Sequence, residues 1–115
     1  MEGFEDDLSD PPISKKVFDR IQEALRKAYL GGEGSPKELR RRALEASVRA
    51  PQDWHREAVR TAYESGDEEW KLTAVFSMRW IDGFDKEIVE ALDSPNSDIQ
   101  FEAVRAAADR EVRAA

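Results

Sequence analysis

Leu39-Arg40-Arg41-Arg42-Ala43-Leu44 has two counterparts further along the chain: Trp70-Lys71-Leu72-Thr73-Ala74-Val75 and Ile99-Gln100-Phe101-Glu102-Ala103-Val104, at offsets of 31 and 29 residues. Each copy reads large apolar, long polar, two variable positions, alanine, aliphatic. An acid stands before each: Glu38, Glu69 and Asp98. A second pattern alternates with the first. Leu25, Ala28 and Tyr29 align with Val59, Ala62 and Tyr63, and these with Ile88, Ala91 and Leu92. The extra residues of the first interval fall in the turn Gly31-Gly32-Glu33-Gly34. Apolar residues spaced by three and four predict amphipathic helices. The aligned alanines let neighbouring helices approach closely while larger residues interdigitate beside them. A helix pair of this length cannot bury both its faces, so each pair must stack on the next.

Punctuation between the stripes agrees with that reading. Ser14 follows Pro11-Pro12 and is placed to cap a first helix. Ser35-Pro36-Lys37-Glu38, Ser65-Gly66-Asp67-Glu68 and Ser97-Asp98-Ile99-Gln100 have capping-box spacing, with Pro36 suited to the first helical position. Pro51 and Asp82-Gly83 separate the other helices. The expected fold is all-α, an α-solenoid of about six helices arranged as stacked antiparallel pairs. Residues 1–12 read as a flexible acidic leader whose Phe4 and Leu8 could fold back, and residues 13–115 as one repeat domain.

The paired apolar-basic residues Leu39-Arg40 and Trp70-Lys71, the alanine-aliphatic steps and the aspartates before the alternate helices (Asp53, Asp82) resemble short HEAT-like repeats. These are the armadillo-like group often labelled by the phycocyanobilin lyase HEAT-like repeat. The resemblance implies a basic-acidic ladder between repeats on Arg40 and Lys71, lapsing at Gln100. It also implies that the helices bearing the second pattern line a concave surface. Their outward positions would then face a partner: Glu23, Glu57 and Lys86; Arg26, Arg60 and Val89; Lys27, Thr61 and Glu90.

Charge divides along the chain. The net charge is -7, yet residues 13–60 hold twelve bases and seven acids, and residues 61–102 three bases and eleven acids. The candidate strip therefore runs from basic to acidic, which suits a bipolar protein or peptide better than a polyanion. Arg40-Arg41-Arg42 point around several sides of a helix beside an acidic segment, so no nucleic-acid partner is expected. The chain has no cysteine and one histidine, His55. Thiolate chemistry and sites built from several imidazoles are thereby excluded. His55 aligns with Ile21 and Phe84 and reads as a packing residue at a helix start. Asp82-Gly83-Phe84-Asp85 lacks the spacing of a calcium loop, and the glycine-rich turn lacks the Lys-Ser/Thr ending of a phosphate loop. No catalytic residue, metal or cofactor is expected, and no apolar run approaches the ~18 residues of a membrane span. The sequence therefore predicts a cytoplasmic, non-catalytic protein-interaction module or scaffold. The alternative is an accessory or catalytic part of a HEAT-fold enzyme, lyase-like or nucleic-acid-modifying. The repeat pattern starts and stops mid-pair, which suggests a piece of a longer solenoid or covered ends. Ile99, Phe101 and Val104 of the final helix are the expected contacts for self-association or for further repeats.

Overall fold

The computed structural model describes residues 14–31 and 34–114, with only the backbone described for 111–114. The acidic leader at 1–12, with Phe4 and Leu8, and Gly32-Glu33 of the first turn lie outside the described residues. Six helices follow in order among those described, with no strand: α1 (Lys15–Leu30), α2 (Lys37–Ser47), α3 (His55–Tyr63), α4 (Glu68–Ser77), α5 (Asp85–Leu92) and α6 (Ser97–Ala114). The chain is all-α.

The described helices form three whole pairs, which corrects the expectation that the repeat pattern starts and stops mid-pair. α1 lies on α2, α3 on α4 and α5 on α6, while α4 also meets α2 on one side and α6 on the other. Among the described residues, the backbones of α1, α3 and α5 do not approach one another, and α2 does not reach α6. Each pair thus touches only its neighbours. The even-numbered helices therefore form the closely packed row.

The alanine register explains the close row. Ala43, Ala74 and Ala103 are all buried, and Ala74 and Ala103 have no exposed surface. Around them the core collects Val59, Val75, Met78, Phe84, Ile88 and Ile99. The stripe of α1 behaves differently. No residue of this helix is fully buried, and Val17 and Ile21 stand nearly half exposed. The reason is positional: among the described helices, the backbone of α1 approaches that of α2 alone.

Helix starts depart from the capping-box reading in detail. Ser14 caps α1, its hydroxyl accepting from the Val17 amide. α2 begins after Pro36, which occupies the cap position itself and supplies no side-chain cap bond. The cap of α4 is Asp67, whose Oδ1 accepts from the amides of Glu69 and Trp70. Asn96 does the same for Asp98 and Ile99 at α6. Carboxylate and carboxamide oxygens outrank the neighbouring serines because the chain can place them one residue before the helix. At the other end of α1, Gly31 adopts φ 63°, a left-handed value open to glycine at low cost. The Arg40 side chain lies against its missing Cβ.

Candidate functional site

The chemically richest surfaces are the junctions between successive pairs. At the first, Arg26 of α1 lies 5.6 Å from the ring centroid of Trp54, the residue before α3. Tyr29 stacks on Trp54 at 5.5 Å and meets Trp70 of α4 edge-on at 6.0 Å. Arg40 lies over the Trp70 ring at 5.3 Å while its Nε donates to the Tyr29 carbonyl at 2.9 Å. Tyr29, Arg40, Thr61, Ala62, Ser65 and Trp70 enclose a cleft of 140 Å3. Burial pushes the Tyr29 phenol up, the Arg40 charge opposes this, and Glu57 adds to it. The phenol is therefore a neutral hydrogen-bonding group at neutral pH.

The second junction repeats the device. Arg60 of α3 lies 4.9 Å from the ring of Phe84, the residue before α5. Its guanidinium also pairs with Glu87 at 3.1 Å and with Glu64 at 3.4 Å. The Tyr63 hydroxyl donates to Glu90 at 2.9 Å. Burial first, then that hydrogen bond, pushes its pKa up to about 12. Polar rungs join the even helices across the same junctions. Lys37 Nζ reaches Asp67 and Glu69, each at 2.9 Å. Arg41 donates to Thr73, which donates in turn to Glu45. Asn96 donates to Glu68 at 2.8 Å, and Arg79 pairs with Asp109 at 2.8 Å.

The expected ladder of Arg40 and Lys71 with acids is corrected. All three aligned residues turn toward the end of the preceding odd helix. Arg40 donates to the Tyr29 carbonyl, Lys71 lies 5.0 Å from the Tyr63 ring, and Gln100 donates to the Leu92 carbonyl at 2.9 Å. Unpaired carbonyls at a helix end accept from any long donor. Gln100 therefore keeps the role and does not interrupt it.

His55 is fully buried. Its Nδ1 accepts from the Gln52 amide at 2.8 Å, which leaves Nε2 as the N–H that donates to Ser47 Oγ at 2.8 Å. Ser47 passes the chain on to the Leu44 carbonyl. Burial lowers the His55 pKa, and the Nδ1 lone pair is already committed to the Gln52 amide. The ring is a neutral bolt between α2 and α3, and Trp54 stacks on it at 3.8 Å.

The nine sequence-predicted positions are all exposed on the odd helices, but they do not form one patch. Glu23 and Arg26 share a rim with Trp54, and Thr61 lines the aromatic cleft. Glu23 and Lys27 also flank a shallow dent along α1. Arg60 and Glu90 are engaged within the chain, Val89 borders a dent between α5 and α6, and Glu57 lies near enough to act on the Tyr29 phenol. In the final helix, Phe101 and Val104 are exposed, whereas Ile99 has no exposed surface and belongs to the core. It is removed from the expected contact set, because the face of α6 that carries Ile99, Ala103 and Ala106 packs inward. Sequence reasoning missed Tyr29, Arg40, Trp54 and Trp70 as one assembly. The available signal was Arg-x-Ala-Tyr, present at Arg26–Tyr29 and again at Arg60–Tyr63.

Among the described residues, no group of three or more His, Cys, Asp or Glu side chains is placed to hold a metal ion. No described helix is long and apolar enough to cross a membrane. No family model, curated protein or solved structure matches the chain.

Proposed function

We propose that this chain is a non-catalytic protein-interaction module built from HEAT-like helix pairs, and that it grips one side chain of an acidic peptide segment in the cleft at the first junction. The observation that carries the reading is the set Tyr29, Trp54 and Trp70 braced by Arg26 and Arg40. Tyr, Trp and Arg dominate the energetics of protein interfaces because they offer large, rigid contact area with a polar handle. The cleft, at 140 Å3, falls below the ~300–1,000 Å3 of sites that enclose a small molecule. It is sized for a side chain on a longer ligand. Arg40 in its lining and Arg26 on the adjoining Trp54 favour carboxylates beside that side chain, and Thr61 supplies a hydroxyl at the rim.

A peptide-display selection against the purified chain tests this. Enriched sequences should pair an apolar or aromatic residue with nearby acids. Their binding should weaken with salt and fall at least tenfold in Arg26→Glu and in Thr61→Trp, which fills the cleft. Selected peptides that bind both variants as tightly as the parent chain would refute the assignment, as would a selection with no enrichment.

A further inference from the structure

Each junction in this chain is a plug set into a socket, and the third socket is open. In the first junction the plug is Trp54-His55, held by Arg26 of α1 and by the Ser47 hydroxyl of α2. In the second the plug is Phe84, under the Arg60 guanidinium, and a side chain on Gly83 would collide with Arg56. By the repeat offsets His55 aligns with Phe84, Arg26 with Arg60, and Ser47 with Met78. The same offsets place the next socket at Val89 and Ala107. There the structure has a 230 Å3 dent lined by Asp85, Ile88, Val89, Ala107 and Arg110. Val89 is 61% exposed.

The matching plug stands at the other end of the stack. Ile21 aligns with His55 and Phe84. They are buried, with at most 1% exposed, whereas Ile21 is 43% exposed. Neighbouring positions behave alike. Leu39 is half exposed while its counterpart Ile99 is buried; Val104 is half exposed while its counterparts Leu44 and Val75 are buried. The first pair therefore shows the surface that later pairs place against their predecessor. The last described pair shows the surface that earlier pairs place against their successor. Charge agrees: residues 15–47 hold nine bases and five acids, and residues 85–114 hold four bases and eight acids. The two ends carry +4 and -4 by that count.

We propose that a second copy of this chain docks head to tail, with its Ile21 seated in the dent between α5 and α6 and its Leu39 covering Phe101 and Val104. The contact continues an interface that the chain already makes twice within itself. It is heterologous, so each copy offers one plug and one socket and assembly propagates beyond a dimer. The incoming end is basic and the receiving end acidic by that count, which makes the contact salt-sensitive. This inference does not rest on the peptide-binding proposal, since it uses neither the cleft nor an outside ligand.

Sedimentation of the purified full chain decides it. The mean mass should climb from 13.1 kDa past twice that value between low and high micromolar concentration, and less so in high salt. Ile21→Glu removes the plug and Ala107→Trp fills the socket. Each variant alone should stay monomeric, yet an equimolar mixture should give a species of two chains and stop there, because one intact plug meets one intact socket. Val89→Asp serves as the socket variant if Ala107→Trp loses its helical circular dichroism. A parent chain that stays monomeric, variants that still associate, or a mixture that fails to pair would each overturn the proposal. So would association that appears only when residues 1–13 are removed, since the leader would then be the occupant.

Discussion

His55 joins two helices by being neutral. Both ring nitrogens are committed, one accepting from a backbone amide and one donating to Ser47. A second proton would have to sit on Nδ1 and break the first of these contacts inside a buried site. The folded state therefore holds the pKa below the ordinary 6.5. A depressed pKa contributes stability that is fully present above the unfolded value and is lost as pH falls through the folded one. Stability should accordingly decline from about pH 6.5 downward, before most carboxylates begin to titrate. His55→Asn should cost about 1–3 kcal/mol at neutral pH, since it leaves the Ser47 hydroxyl short of a partner and loses packing. Its melting temperature should nevertheless be flatter between pH 7 and pH 5. Parallel pH profiles for the two proteins would show that another group governs the acid limb.

At the scale of the helix, the even row depends on what alanine leaves out. Ala74 is completely buried on α4, the helix that meets both α2 and α6. Leucine there must push at least one neighbour away, at about 1–3 kcal/mol. Ala46→Leu, on the exposed side of α2, provides the control and should change stability little. Chemical denaturation of the two variants checks the contrast, and equal losses would mean that α4 has slack. The alanines were legible in the sequence because a small residue at a fixed register has one common use, close packing. The caps were less so: Ser65 and Asp67 are both competent, and only the placed backbone shows that Asp67 wins while Ser65 binds the Ala62 carbonyl. The Arg40, Lys71 and Gln100 row was misassigned because a long donor does not reveal whether its acceptor is a carboxylate or a carbonyl. The aromatic cleft was hidden for a different reason. Tyr29, Trp54 and Trp70 come from three segments, and their meeting depends on how the first pair packs on the second.

Across the whole molecule, burial rises from the first helix toward the middle. α1 has no fully buried residue, while α4 buries Thr73, Ala74, Val75 and Ser77. In a stack whose stability is a sum over neighbours, local opening should follow that gradient. Amide hydrogen exchange should be fastest in α1 and slowest in Thr73–Met78. Uniform protection from α1 through α5 would mean that the pairs open together as one unit. The broad plan was readable because the rungs between the even helices span about thirty residues, the distance over which the sequence repeats. The exposure of Ile21 and Val17 was not, since the same stripe is core or surface according to whether another pair lies on it.

Because the pairs touch only in series, a force applied to the two ends of the stack finds no strut that bypasses a junction. Tension must pass through the first junction and then the second, each carried by its even-helix packing and polar rungs as well as by its aromatic contact. A pair that lets go would pay out about thirty residues of slack, on the order of 100 Å of contour length, while the remaining pair contact stayed closed. The serial arrangement makes this chain a spring with discrete stops.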